Sequence, residues 1–492
     1  MSILVTAPIV VPILGAGVAL VFRRSLVVQR VIALVAMFAV SGTNIALLVD
    51  VDRRGVRASQ VGGWPAPFGI TLVVDLFSAL MLVMASFAIL AVLVYAIGQR
   101  DVDRASRSFH PVYLVLAAGV SASFLAGDLF YLFVAFEMTL IASYVLITLG
   151  GGADQVRTGM TYVVMNLLGS TIFLATIGLV YAATGTVNIA DLVDKVAALP
   201  DGVALVLGLF LLVAFGVKAA IFPLFSWLPD SYPTALTPIT AIFAGLLTKV
   251  GVYAIVRTQT FLFAPDGASK LLLVIAALTM VVGVLGAIAQ NDMKRILSFH
   301  IISQIGYMIM GLALFTVSGL AGAVFFMVHQ IPVKTSLFLV GGIVERSTGT
   351  AGLDRLEGLV RRMPFVSVLF FLAALSLAGV PPFSGFVAKL ALVEAGFDGS
   401  QWAIVAVSLV VSLLTLFSMI KIWNGAFWGA ARLDGVNVPF RRPTPVPTAA
   451  AAALVGLALF VAVAARPLYG LAERAAFGLL DQRAYVAEVL RP

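Results

Sequence analysis

Cysteine is absent from all 492 residues, so the chain can form neither a disulfide nor a thiolate-bound iron–sulfur cluster. Histidine is scarce: His110, His300 and His329 are the whole supply, and no two have metal-ligand spacing. Charged residues make up only 11% of the chain, against roughly 25% in a soluble domain. No G-x-x-x-x-G-K-[ST] phosphate loop occurs. Energy for any work must therefore come from an ion gradient or a partner, and any redox chemistry falls to another chain. What is abundant is apolar: 61% hydrophobic residues and a mean hydropathy of +1.10.

About 20 apolar residues cross a bilayer, and such runs recur from end to end. The short alternating segments of a membrane barrel are missing. The expected fold is an all-α polytopic membrane protein with about 14 transmembrane helices. Its spans include 30–49, 71–98, 202–226, 235–257, 366–393 and 447–465. The opening run, MSILVTAPIVVPILGAGVALVFRR, lacks a basic leader and a small-residue cleavage site and reads as a retained first span.

A net charge of +8 and a pI near 9.8 could suggest nucleic acid, but the arginines are scattered through short loops. Arg23, Arg24, Arg100, Arg104, Lys294, Arg295, Arg346, Arg361, Arg362, Arg432, Arg441 and Arg442 fall on one side of the span pattern. Arg53, Arg54, Arg57, Lys195, Arg257 and Lys270 fall on the other. The richer side is expected to be cytoplasmic, with both termini outside a bacterial cell membrane.

Some connections look structured. Segment 50–70 carries the turn residues of a short hairpin. Segment 184–200 sets Ile189, Leu192, Val193 and Val196 at helical spacing, as an interfacial helix would. The tail 467–492 is amphipathic and is expected to lie along the surface.

The informative charges are those inside the apolar runs: Glu137, Lys218, Lys249, Lys334 and Lys389. Each costs roughly 2.5–3.5 kcal/mol at mid-bilayer on insertion scales, so such residues face a bundle interior and mark ion or proton paths. Glu137 is the natural partner of Lys218, either as a titrating modulator or as a structural ion pair. Lys249 supplies a second lysine expected to titrate with Lys218. His329 shares a span with Lys334, with Pro332 between them, and suits a proton relay or a hydrogen-bonded structural role. Polar packing accounts for His300, and snorkelling beside Trp423 and Trp428 accounts for Lys421. Asp75, Asp128 and Glu394 near span ends are funnel residues or simply solvated.

Prolines and glycines interrupt corresponding spans. Lys218 precedes Pro223, with Pro229, Pro233 and Pro238 following, and Pro381, Pro382 and Gly385 precede Lys389. Broken spans at matching places point to an inverted-repeat transport path. The expected organisation is three helices in 1–109, a first five-helix repeat in 110–257, an inverted second repeat in 258–429, and a last span with its tail in 430–492.

At FVAFEMTLIASYVL, GVKAAIFPLFSWLPDSYPTALTPITA, LLTKVGVYAIVR, HIISQIGYMIMG and GVPPFSGFVAKLALVEA, the chain resembles a family of antiporter-like membrane subunits. That family is shared by respiratory complex I, membrane-bound hydrogenases and Mrp-type multisubunit cation/proton antiporters. HQIPVKTSLFLVGGIVER and FSMIKIWNGAFWG bring it nearest to the Mrp D-type branch. The resemblance implies a subunit that moves protons along Glu137, Lys218, Lys249, His329, Lys334 and Lys389 and carries no cofactor. Its partners would be membrane subunits of the Mrp A, B, C, E, F and G types, within membrane lipid. Sodium would cross elsewhere, since the sequence offers no evident cage of oxygen ligands. The second repeat has no acid matching Glu137. The alternative is a proton-pumping subunit of a redox-driven NADH:quinone oxidoreductase or hydrogenase, which neighbouring genes for cluster-binding subunits would favour.

Overall fold

The structure, a computed structural model, describes residues 2–100, 102, 106–263, 265–429 and 440–491. Arg104 and Arg432 lie outside the described residues. Long apolar runs satisfy their backbone internally by coiling, and the described chain is accordingly almost all helix. Twelve helices are long and apolar enough to cross a membrane, and Phe109–Leu125 and Pro364–Ala378 are shorter apolar ones.

The chain opens with α1 (Ser2–Val21), α2 (Leu26–Arg54) and α3 (Leu76–Gln99). A hairpin of β1 (Arg57–Gln60) and β2 (Thr71–Val74) joins the last two. The anticipated hairpin is therefore present, but it takes residues 71–74 from the span assigned to 71–98. Helix α2 also extends beyond 30–49 at both ends. Then come α4 (Phe109–Leu125), α5 (Leu129–Ile147), α6 (Ala153–Thr184), the short amphipathic α7 (Ile189–Ala197) and α8 (Asp201–Ala219).

The run 202–226 is not one helix. Helix α8 stops at Ala219, Ala220 takes a left-handed φ of 58°, and irregular chain leads to α9 (Leu228–Thr234). Pro223 removes a backbone donor there, so a continuous helix would lose a rung. Helix α10 (Thr237–Leu262) follows, with a π-helical turn at Phe243–Leu247. After α11 (Pro265–Ala289), α12 (Met293–Ala313) and α13 (Val317–Thr348), the run 366–393 also breaks. Its pieces are α14 (Pro364–Ala378) and α15 (Ser384–Asp398), separated by Gly379 at φ 85° and by Pro381 and Pro382. Helices α16 (Trp402–Phe427), α17 (Pro445–Val463), α18 (Ala465–Leu480) and α19 (Arg483–Val489) complete the described chain.

Helix α13 is the hub. It is buried along its whole apolar window and packs against α3, α10, α12, α14, α15, α17 and α18. Helices α1, α2, α6 and α11 form the rim and present Val31, Val35, Phe38, Val164, Leu168 and Val274 outward. The tail does more than lie on a surface. Small residues let α18 seat Ala472, Ala475, Ala476 and Leu479 in the bundle beside α13 and α3.

A local pattern recurs at constant spacing. Asp128 caps α5 by accepting from Tyr131 N, and Asp292 caps α12 by accepting from Arg295 N. Around Asp128, Leu129 N donates to Val187 O and Ile189 N to Gly127 O. Around Asp292, Met293 N donates to Ala351 O and Leu353 N to Asn291 O. Helices α6 and α13 each run 32 residues. Each ends in Thr-Gly-Thr with the glycine left-handed, Gly185 at φ 75° and Gly349 at φ 77°. In this register Ser170 corresponds to Lys334, and Glu137 to Ile301.

Candidate functional site

Glycine contacts place the first lysines. A Cβ on Gly251 would lie 2.6 Å from Ala219 N and 2.9 Å from Lys218 C, so α10 reaches the end of α8 only because residue 251 has no side chain. A Cβ on Gly245 would collide with Thr335 Oγ1 at 2.2 Å, and α10 thereby touches α13 one residue beyond Lys334. Lys218, Lys249 and Lys334 thus sit on adjoining helices through the centre of the bundle.

Lys218 is 5% exposed and its Nζ has no hydrogen-bond partner among the described residues. The ammonium lies 5.4 Å from the centre of the Phe136 ring, within cation–π range. Beside it is a cavity of about 10 Å3 lined by Leu140, Asn166, Gly169, Ser170, Phe173 and Val217 among others, roughly the room one water requires. Glu137 is half-buried and accepts a short hydrogen bond from the Ser170 hydroxyl. The expected pairing is corrected in its form. Glu137 and Lys218 interact electrostatically without a contact ion pair among the described residues, because Ser170 holds the carboxylate on α6.

Lys249 is buried and donates to Ala244 O at 2.6 Å. That carbonyl belongs to the π-helical turn, where the regular ladder is interrupted and an acceptor is free for a side chain. Lys334 is fully buried, and its Nζ has no hydrogen-bond partner among the described residues. It lies within electrostatic reach of Lys249 on one side and Lys389 on the other.

His329 Nδ1 is 2.8 Å from Ser384 Oγ, which lies 3.3 Å from Ser376 Oγ. The histidine is thereby tied across the break between α14 and α15. Lys389 donates to Ala378 O at 2.9 Å and to Ser412 Oγ at 3.0 Å. Its ammonium is 5.1 Å from the centre of the Tyr307 ring. Ala378 is the last residue of α14, so the lysine satisfies a carbonyl that the broken helix leaves open.

The peripheral residues differ from expectation. His300 is fully buried, 2.9 Å from Ser418 Oγ, and within electrostatic reach of both Lys334 and Lys389. It lies nearer the lysine file than its position in the span suggested. Lys421 donates to Ile288 O at 2.9 Å and Gln290 O at 2.7 Å. The open carbonyls at the end of α11 attract the cation, so it caps a helix instead of snorkelling.

Asp75 and Asp128 are not solvated. Asp75 accepts two bonds from Arg257, at 2.5 and 2.9 Å. Burial alone would raise its carboxyl pKa, but the Arg257 charge and hydrogen bonds, with Ser78, hold it below the usual carboxylate range. The guanidinium is ringed by Phe77, Tyr253, Phe261 and Tyr485, the last from α19. Asp128 is pushed up to about 6 by burial, against the pull of neighbouring backbone amides. Glu394 is exposed.

Sequence patterns had not singled out Ser170, Ser376, Ser384 or Ser412. Only Ser170 carried a signal, and only in register, at the place where the second half carries Lys334.

The sequence matches the family described as "NADH:quinone oxidoreductase/Mrp antiporter, TM" over residues 126–415. It is 43% identical to the D-type subunit of the Na(+)/H(+) antiporter of Alkalihalophilus pseudofirmus, with 100% of each chain covered. Among solved structures, it resembles a chain of the Mrp complex from Dietzia sp. with a TM-score of 0.90 and 36% identity, covering 99% of each. A chain of an archaeal membrane-bound sulfane sulfur reductase is also similar, at TM-score 0.90, 26% identity and 100% coverage of each. Identity along the full length, together with the shared fold, leads to one assignment: the chain belongs to the NADH:quinone oxidoreductase/Mrp antiporter transmembrane family.

Proposed function

We propose that this chain is the proton-translocating subunit of a multisubunit sodium/proton antiporter, and so a secondary transporter component instead of an enzyme. The observation that carries the proposal is the file of buried titratable groups through the bundle centre. Lys218, Lys249, Lys334, His329 and Lys389 each lie beside a helix break, a π turn or a kinkable proline. Higher identity to the D-type antiporter chain than to the sulfur-reductase chain supports antiport over the redox-driven alternative.

Glu137 would set the charge felt by Lys218, with Ser170 fixing the carboxylate. Protons would pass from Lys218 and Lys249 to Lys334, then by His329 and its serine contacts to Lys389. A buried ammonium with no hydrogen-bond partner among the described residues is poorly compensated, so Lys218 and Lys334 are suited to releasing a proton when a neighbour becomes charged.

The recurring capped strand-like pairing, the equal lengths of α6 and α13, and the repeated Thr-Gly-Thr turns support five-helix repeats at 110–257 and 258–429. The same reading leaves three spans in 1–109 and a last span with its tail in 430–492. The distribution of basic residues supports termini on the outer face of a bacterial cell membrane. Partners would be the other membrane subunits of an Mrp-type complex, and sodium would cross at one of them or at a boundary.

The test is exchange in proteoliposomes holding the whole assembly. Lys218→Ala should abolish sodium-driven proton movement while the complex migrates normally on a native gel. Full exchange in that variant would defeat the proposal. The isolated chain should not exchange sodium for protons, and robust exchange by it alone would refute the multisubunit assignment.

A further inference from the structure

A basic cluster at the start of α17 is not used by the proton file. Arg441 and Arg442 are exposed immediately before the helix, and Arg361 and Arg362 are exposed just before α14. Among the described residues no carboxylate forms an ion pair with any of these four. The Arg362 guanidinium lies 5.7 Å from the centre of the Phe440 ring, and Arg441 N donates to Ser347 O at 2.8 Å. The cluster is thus anchored to α13 and held near the α14 entrance. Arg441, Arg442 and Thr444 border a recess that also includes Tyr95, Gln99 and Arg346.

Apolar grooves lie along both flanks of α17, and one of them opens beside the cluster at Met363 and Pro443. One, of about 600 Å3, is lined by Met363, Phe365, Val366, Pro445, Ala449 and Ala453. The other, of about 570 Å3, is lined by Phe38, Phe87, Val94, Ala453, Leu457 and Phe460. Both fall within the range of about 300–1,000 Å3 found for ligand sites, and both use the alanine face of α17. Phe38, Phe365 and Phe460 stay exposed along them.

We propose that α17 is a seat for one anionic phospholipid, whose phosphate rests on Arg441, Arg442 and Arg362 while its acyl chains occupy the flanking grooves. Charge complementarity selects this occupant. Arginines with no carboxylate partner among the described residues favour a phosphate diester, for which guanidinium forks are geometrically matched, and basic pockets between spans bind anionic headgroups. The alanines leave room for chains beside the helix, and the grooves are apolar along their length. A neutral lipid would fill the grooves but leave the arginines without a counter-charge.

The full assembly, reconstituted in phosphatidylcholine nanodiscs, can be probed with trace phosphatidylglycerol carrying a photoreactive diazirine in an acyl chain. Adducts should map to segments 445–460, 363–366 and 87–94. Unlabelled phosphatidylglycerol should compete, and phosphatidylcholine should not. The Arg441→Gln/Arg442→Gln variant should lose labelling by about twenty-fivefold, on the order of fivefold per arginine. Ala453→Phe should block labelling by filling the grooves while leaving the arginines, assembly and exchange intact. Equal labelling by a phosphatidylcholine probe, or unchanged labelling in the arginine variant, would overturn the proposal. So would cross-linking of this face to a neighbouring subunit with no lipid adduct.

Discussion

The first-half site around Lys218 and the second-half site around Lys389 use the same device, a lysine beside a broken helix, in opposite settings. In the first, Lys218 precedes the break, has no hydrogen-bond partner among the described residues, and feels a carboxylate held by Ser170. In the second, Lys389 follows the break and is held by Ala378 O and Ser412. Its titratable neighbours Lys334, His329 and His300 are all basic. The register sharpens the contrast: Ser170 on the rim helix α6 corresponds to Lys334 on the hub α13, and Glu137 on α5 to Ile301 on α12. The Lys218 site therefore feels a modulating negative charge, whereas Lys334, His329 and His300, which surround Lys389, are bases that disfavour one another's protonation. A proton added anywhere in the second half disfavours the next, which suits transfer along a file more than storage.

The largest effect expected from breaking this contrast is at the acid that defines it. Glu137→Gln preserves shape and the Ser170 contact but removes the charge, and exchange should fall to background with normal assembly on a native gel. A purely structural pairing predicts instead that Glu137→Gln with Lys218→Met, which leaves no uncompensated charge, restores exchange. Near-unmodified rates in that double variant would eliminate the proton role for both residues.

A smaller effect is expected from Ser170→Ala. The carboxylate would lose one charge-assisted hydrogen bond, worth about 1.5–3 kcal/mol, and its position relative to Lys218 would relax. Exchange should drop severalfold and its pH profile should shift, whereas a packing defect would lower the rate without moving the profile.

Outside the file, Arg257→Gln strands Asp75 in a buried site and loosens α19. Breaking such a pair costs about 3–5 kcal/mol. The subunit should therefore lose thermal stability and expose its C-terminal segment to protease, and resistance equal to the parent chain would argue against the clasp.

The smallest effect belongs to Asp128. Its folded pKa, near 6, lies above the ordinary carboxylate value, so the folded state binds the extra proton between about pH 4 and 6. Stability should consequently fall as pH rises through that window and stay lowered above it. Asp128→Asn keeps a good N-cap and should raise the melting temperature at pH 8 by on the order of 1–2 °C, with no gain at pH 4. An equal gain at both pH values would contradict the assignment.

Much of the architecture was legible because bilayer-length apolar runs force helices, and because buried lysines are too costly to be accidental. The breaks were legible in Pro223 and in Pro381 and Pro382. The hairpin was visible in its turn residues, but its second strand was hidden, since TLVV continues an apolar run and hydropathy does not separate strand from helix. The serine partners were not legible, because serine is common in membrane helices and only three-dimensional register ties Ser170 to Glu137 and Ser384 to His329. The seating of α18 was missed for a related reason: its alanines read as a weakly amphipathic surface helix until α13 is seen beneath them.

The central claim is that the buried lysines carry protons and do not merely satisfy open backbone carbonyls. Lys389 separates these roles, because it does cap Ala378. Lys389→Arg retains a cation and several donors for that carbonyl but cannot release a proton in the working pH range. Sodium-driven proton exchange should be measured in proteoliposomes containing the intact assembly with this substitution. Exchange at background, with assembly and melting temperature unchanged, is the predicted result, and exchange near the rate of the parent complex would contradict it.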